Sequence, residues 1–271
     1  MNINSLMALL LGLALLISSI GFFRAVYFVS VGYAFAIVAM ALVAPILLRP
    51  NLTWTSVAQN VLLILWGLRL GIYLLQREST ASYRKELAGV QERGAGITLP
   101  KKVLIWIGVS LLYVAMFSPS LFHLVGEVST SALAALLPQV LGLMIMIGGL
   151  ALEAMADRQK SRFKARFPGQ LCNIGVYRQV RCPNYLGEIL FWVGNWVVGF
   201  VFYTSLAMVI LSLIGLTCIV LIMMGSTKRL ERAQNERYGN LSAYRTYARS
   251  VPILIPFIPV YSLQGIRVYL E

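Results

Sequence analysis

The chain has 271 residues, 59% of them hydrophobic and 12% charged, with a formal net charge of +13 and a mean hydropathy of +0.77. Soluble domains carry about a quarter charged residues, so this much apolar surface cannot be buried in one soluble core and requires a bilayer as solvent. Three scattered cysteines (Cys172, Cys182, Cys218) with no Cys-x-x-Cys pair, and a single histidine, His123, argue against a disulfide framework and against a metal site.

In chain order, apolar runs at 4–23, 26–48, 53–75, 103–125, 131–154, 184–203 and 205–225 predict seven transmembrane helices. Each holds about twenty residues, which crosses about 30 Å of hydrocarbon at 1.5 Å per residue. The expected fold is an all-α integral membrane protein, a single polytopic domain over 1–271. The first run lacks a basic leader and a small-x-small cleavage site, so it is expected to be a retained span.

The connections alternate in character. Those at 49–52, 126–130 and 204 are short and hold one basic residue, Arg49. The segments 76–102, 156–183 and 226–271 are long and polar, and with Arg24 they hold 21 of the 23 basic residues. The positive-inside rule puts that side in the cytosol, the N-terminus outside and the C-terminus inside. A basic chain can bind nucleic acid, but charge divided among loops between spans fits topology, anionic membrane lipids or an anionic ligand. No nucleic-acid partner is expected.

Ionisable groups inside spans cost about 2.5–3.5 kcal/mol on insertion scales, so each marks a candidate site. Arg69, in Trp66-Gly67-Leu68-Arg69-Leu70-Gly71-Ile72-Tyr73, shares a helix face with Tyr73 and Arg77 at steps of four. Two arginines on one line suit a phosphate; snorkelling to headgroups accounts for Arg77 but not for Arg69, two turns deeper. Glu153, Asp157, Lys160 and Lys164 form a second stripe. Its carboxylates suit ribose hydroxyls or an amide and its lysines suit phosphates, although ion pairing along a solvated helix gives the same spacing.

The third constellation is Gly175-Val176-Tyr177-Arg178-Gln179-Val180-Arg181-Cys182-Pro183-Asn184-Tyr185-Leu186-Gly187-Glu188. Pro183 suits the first turn of a helix, and Asn184 and Glu188 then lie one turn apart on one face. Arg178 and Arg181 precede a helix N-terminus, which itself favours anions. The competing reading is a structural cap with an internal ion pair. The tail interleaves basic and aromatic residues: Lys228-Arg229-Leu230-Glu231-Arg232, Arg237-Tyr238-Gly239, Tyr244-Arg245-Thr246-Tyr247, then Ile255-Pro256-Phe257-Ile258-Pro259. Arg232, Tyr244 and Tyr247 suit a nucleotide, arginine on phosphate and tyrosine on a ring; an amphipathic interfacial segment is the other reading. His123, near the outer end of the fourth run, is expected to be structural.

The pattern Gly-x-Tyr-x-x-x-Arg-x-Pro-Asn-Tyr-x-Gly-Glu, followed by Tyr-x-x-Tyr and Ile-Pro, resembles the C-terminal domain of the steroid 5-alpha-reductase family. The run Trp-Gly-Leu-Arg-Leu-Gly-x-Tyr-Leu-Leu-x-Arg-Glu looks like its bacterial DUF1295 branch. The likeness covers roughly 60–262. It implies a seven-helix fold in a bacterial inner membrane, with NADPH bound from the cytosol under covering segments at 156–183 and 226–271. It also implies reduction of a carbon–carbon double bond conjugated to a ketone in a lipophilic substrate drawn from the bilayer. Asn184 and Glu188 match family positions at the cofactor, Asp157 and Lys164 match approximately, and Arg69 matches a third-span arginine. On this likeness the cofactor set is Arg69, Arg77, Glu153, Asp157, Lys164, Arg178, Arg181, Asn184, Tyr185, Glu188, Arg232, Tyr244 and Tyr247.

Three departures stand out. The second span carries no Gln-Glu pair, Trp66 occupies the approximate place of a third-span tyrosine, and Cys182 stands where relatives often have histidine. Tyr33 and Tyr73 are left as the candidate catalytic donors to the ketone. Membrane methyltransferases of the isoprenylcysteine and phospholipid type, which use S-adenosylmethionine, share Arg-x-Pro-x-Tyr-x-Gly. They generally carry histidine after the arginine and a Glu-Glu pair near the tail, where this chain has Cys182 and the single Glu231. A transporter would need polar groups on both sides of the midplane, and beyond Arg49 in the first short connection the outer half carries only His123 and Glu127.

Overall fold

The computed structural model describes residues 2–49, 52–78, 96–126 and 133–266. Among them the chain forms eight α-helices with short 3-10 turns and no strand. The basic residues Arg84, Lys85, Arg93 and Arg267, and Glu127, lie outside the described residues.

The helices are α1 (Ile3–Ser18), α2 (Val31–Leu47), α3 (Trp54–Glu78), α4 (Leu99–Val125), α5 (Leu133–Arg166), α6 (Pro183–Gly199), α7 (Leu206–Tyr238) and α8 (Ser242–Ser250). Six stretches are long and apolar enough to cross a membrane: Ile3–Phe22, Trp54–Glu78, Leu99–Val125, Leu133–Arg166, Pro183–Phe202 and Leu206–Tyr238. The second predicted span is shorter than expected. Ala25–Val29 forms a 3-10 turn instead of helix, leaving 17 residues in α2. The chain doubles back there, with the α-carbon of Gly32 so near the Tyr27 carbonyl that a β-carbon would stand 2.6 Å from it.

α5 and α7 run well past their apolar stretches, to Arg166 and Tyr238. Hydropathy ends these elements near 154 and 225, but Ala, Glu, Gln, Lys and Arg are good helix formers and carry the helix onward. Gly239 then ends α7, its N–H bonding the Asn235 carbonyl at 2.8 Å. Pro183 opens α6, as its fixed φ favours.

The chain divides into two compact units, Met1–Leu143 with Asn195–Gly215, and Met144–Gly194 with Leu216–Glu271. In the first, glycines let backbones approach. A β-carbon on Gly67 of α3 would lie 2.7 Å from the Ala34 carbonyl of α2, and one on Gly215 would lie 2.6 Å from that of Ala115 on α4. Small residues at crossings are the usual means of helix association in lipid. A buried polar cluster crosses this unit. His123 Nδ1 is 2.7 Å from Gln59 Oε1, Gln59 Nε2 donates to Asn195 Oδ1 at 2.8 Å, and Asn195 Nδ2 donates to the Met116 carbonyl at 3.1 Å. Thr55 lies 3.2 Å from His123 Nε2 and donates to Gln139 Oε1 at 2.6 Å. His123 is thus held on both ring nitrogens within the unit, as a structural histidine would be.

The second unit combines the later part of α5, most of α6, the later part of α7, α8 and the tail. α5 and α6 cross at backbone distance. A β-carbon on Gly149 would lie 2.6 Å from the Gly187 carbonyl, and one on Gly187 would lie 2.7 Å from the Glu153 nitrogen. A core of Val180, Cys182, Leu186, Ile253, Leu254 and Leu263 joins the approach to α6 to the tail.

Candidate functional site

Buried Asp, Glu, Lys, Arg and His are unevenly distributed. Among the described residues they are His123 in the first unit, and Glu153, Asp157, Arg181, Glu188, Lys228 and Glu231 in the second. Charge is expensive to bury, so the concentration in one unit marks it as the candidate site.

The acidic side is built by α5 and α6. On the predicted stripe Glu153 and Asp157 are buried and Lys160 and Lys164 half-buried, while Arg158 and Arg162, off it, are exposed. The Gly149–Gly187 crossing brings this stripe against the first turns of α6. A β-carbon on Gly187 would lie 2.9 Å from Glu153 Cβ, and buried Glu188 is the next residue. The GlyGlu pair in the motif therefore does two things: the glycine admits α5 and the glutamate adds a carboxylate to the same unit. Asn184 and Tyr185, one turn earlier on α6, are half-buried.

The basic side has a different character from the one the sequence suggests. Arg181 Nη2 donates to Glu231 Oε1 at 3.1 Å and to the Tyr261 carbonyl at 2.6 Å. Glu231 Oε2 accepts from the Leu263 N–H at 3.0 Å. Arg181 thus ties α7 and the tail to the approach to α6. Its Nε and Nη1 are buried as well, and its charge is felt by the Tyr244 phenol. Arg178 and Arg232 are exposed.

Several predicted cofactor residues have internal work. Lys164 Nζ donates to the Tyr238 hydroxyl at 2.8 Å and to the Gln170 carbonyl, closing the loop after α5. The Tyr244 hydroxyl donates to Asn235 Oδ1 at 2.5 Å, and that of Tyr247 to the Tyr177 carbonyl at 2.6 Å. The Tyr177 hydroxyl in turn donates to the Ala156 carbonyl at 3.3 Å. Gly175, at φ +56°, brings this turn against α5, where Gln159 Oε1 accepts the Val176 N–H at 3.1 Å.

Burial sets the titration of these groups. It raises the Tyr244 phenol against the field of Arg181, and it raises Tyr247. Burial pushes the Cys182 thiol up to about 12, again opposed by Arg181, and raises Cys172 against Lys160 and Lys164. Burial thus favours the protonated form of both thiols, as in buried structural cysteines. Among the described residues no group of three or more His, Cys, Asp and Glu is placed to hold a metal ion.

The remaining predicted residues belong to the first unit. Arg69, Tyr73 and Arg77 are half-buried on α3, with the Arg77 guanidinium 5.8 Å from the Tyr73 ring centroid. Tyr33 is buried, stacked on Tyr113 at 5.3 Å and edge-on to Trp66 at 5.1 Å. Nearby, Tyr27 and Arg24 both bond Glu78 Oε2, at 2.6 and 3.2 Å. Sequence reasoning missed Glu231 and Lys228 as buried members of the second unit. Their only signal was a lone acid and its i−3 lysine inside an otherwise basic run.

The profile of one family, described as "Protein of unknown function (DUF1295)", matches residues 20–251. No curated protein and no solved structure matched.

Proposed function

The chain belongs to the DUF1295 family, and from that premise we propose that it is an integral membrane reductase that uses NADPH to reduce a lipophilic enone. In this reading α2 is a seventh span beside the six longer ones, the N-terminus lies outside, and the basic ends of α5 and α7 face the cytosol. The alternation of bare and basic connections supports that orientation.

The observation that carries the reading is the clustering of buried Glu153, Asp157, Glu188 and Arg181 in one unit of an otherwise apolar chain. These residues fit the cofactor's parts. Buried carboxylates suit ribose hydroxyls and the carboxamide, and Lys160, Arg178 and Arg232 suit its phosphates. When bound, the nicotinamide supplies a hydride to the carbon beta to the ketone. The protein's share is to hold the ribose and phosphates, exclude water and offer a proton donor near the ketone oxygen.

The competing reading is an S-adenosylmethionine-dependent methyltransferase. Thermal unfolding of the purified chain with NADPH, NADP+ or S-adenosylmethionine separates the two. NADPH is expected to raise the midpoint, and Glu188→Gln to abolish most of that rise while leaving the unliganded midpoint within a few degrees. Stabilisation by S-adenosylmethionine alone overturns the reductase.

A further inference from the structure

The tail carries an apolar tip that the proposed site does not use. Phe257 is 98% exposed, and Ile255 and Ile258 are 48% and 46% exposed. The tip is built rather than frayed. The Ile253 N–H donates to the Val260 carbonyl at 2.8 Å and the Val260 N–H to the Ile258 carbonyl at 2.7 Å. Pro256 and Pro259 restrict the backbone between them. Phe257 sits at φ 66°, the left-handed region that a bulky residue rarely adopts. Strained backbone holding a large apolar side chain outward persists where function maintains it.

The root of the tip fixes its level. The N–H groups of Arg181 and Cys182 donate to the carbonyls of Pro252 and Ile253, at 2.9 and 3.0 Å. Ile253 and Leu254 are buried against Val180, Cys182 and Leu186. Residue 183 begins a stretch long and apolar enough to cross a membrane. The tip therefore leaves the protein at the N-terminal end of α6, a helix long and apolar enough to cross a membrane. Exposed Arg249 lies three residues before the rooting position Pro252. An exposed arginine just before an apolar loop in sequence complements anionic headgroups above acyl chains.

We propose that residues 255–260 form a membrane-interface anchor, with Ile255, Phe257 and Ile258 inserted into the bilayer that houses the chain. The anchor pins the tail strap, and with it Tyr261 and Leu263, which hold Arg181 and Glu231. Its occupant is lipid, whatever the cofactor, so its failure and that of the reductase reading are separable.

The test is a nitroxide spin label on Phe257→Cys, in a Cys218→Ser background of the full chain reconstituted in vesicles with anionic lipid. Cys172 and Cys182 are buried and stay unlabelled. Collision with oxygen, which concentrates in lipid, is compared with collision with a water-soluble nickel chelate. At 257 the oxygen-to-nickel ratio should exceed that of an exposed control, Ser250→Cys, severalfold. A ratio at 257 equal to the control overturns the anchor. So does an immobile label shielded from both reagents, the mark of a protein partner instead. Ile258→Cys, read in the same way, decides the matter if Phe257→Cys does not fold.

Discussion

Arg181 and Glu231 form an ion pair at 3.1 Å with side chains only 1% and 4% exposed. They lie fifty residues apart, and each also holds the tail, Arg181 through the Tyr261 carbonyl and Glu231 through the Leu263 N–H. The pair is a three-way joint between the approach to α6, the end of α7 and the closing strap. Removing one partner of such a pair strands a buried charge. Glu231→Ala should cost about 3–5 kcal/mol in chemical unfolding, while replacing both partners with apolar residues of similar volume should cost clearly less.

Adjacent glycines on α5 give a built-in control for the α5–α6 crossing. A β-carbon on Gly149 would lie 2.5 Å from the Phe191 nitrogen and 2.6 Å from the Gly187 carbonyl, whereas one on Gly148 meets nothing within 4 Å. Gly149→Ala should lower stability by about 1–3 kcal/mol, because backbone must shift. Gly148→Ala should leave stability unchanged or raise it by up to about 1 kcal/mol through helix propensity. Thermal unfolding in one detergent measures both, and equal effects would refute the close crossing.

The polar cluster of the first unit predicts a cost for losing any shared partner. Gln59 bonds both His123 and Asn195. Gln59→Leu leaves both without that partner and should destabilise by about 1–3 kcal/mol. On the proposed function, stabilisation by NADPH should be retained in the variant, because the cluster belongs to the scaffold. Loss of the cofactor shift with stability intact would contradict that assignment.

Alkaline pH should loosen the second unit. Cys182, Cys172, Tyr244 and Tyr247 are all raised by burial. Their protonated forms are favoured in the folded state, so this stabilisation is fully present below the unfolded values, about 9 for the thiols and about 10 for the phenols. It is lost as pH rises through the higher folded values, with Cys182 at about 12. The unfolding midpoint should therefore fall from pH 9 upward. At pH 8 alkylation of Cys172 and Cys182 should be far slower in the folded chain than in denaturant, followed by mass spectrometry.

Much of the architecture was legible because hydropathy and charge report local physics. Pro183 announced the start of α6, and the spacing of Glu153, Asp157, Lys160 and Lys164 announced one face of α5. The apolar runs became helices because backbone polar groups in lipid have few other ways to be satisfied. The limits of α5 and α7 were not legible from hydropathy, because a helix continues on propensity after its apolar stretch ends. The shortness of α2 was not legible either, because it depends on a turn at Ala25–Val29 that packs through Gly32.

The sequence by itself determined that this chain needs a bilayer, that its basic residues gather in alternate connections, and which polar residues interrupt the spans. These are properties of composition and short-range spacing. Tertiary structure decided which of those residues share a unit and which are already engaged. It brought Gly187, the residue before buried Glu188, against Glu153 on α5, and it gave Arg181 to Glu231 rather than to solvent. It committed Lys164, Tyr244 and Tyr247 to internal hydrogen bonds and left Phe257 facing outward. Pairings between residues far apart in sequence depend on how helices cross, and local spacing carries no record of that.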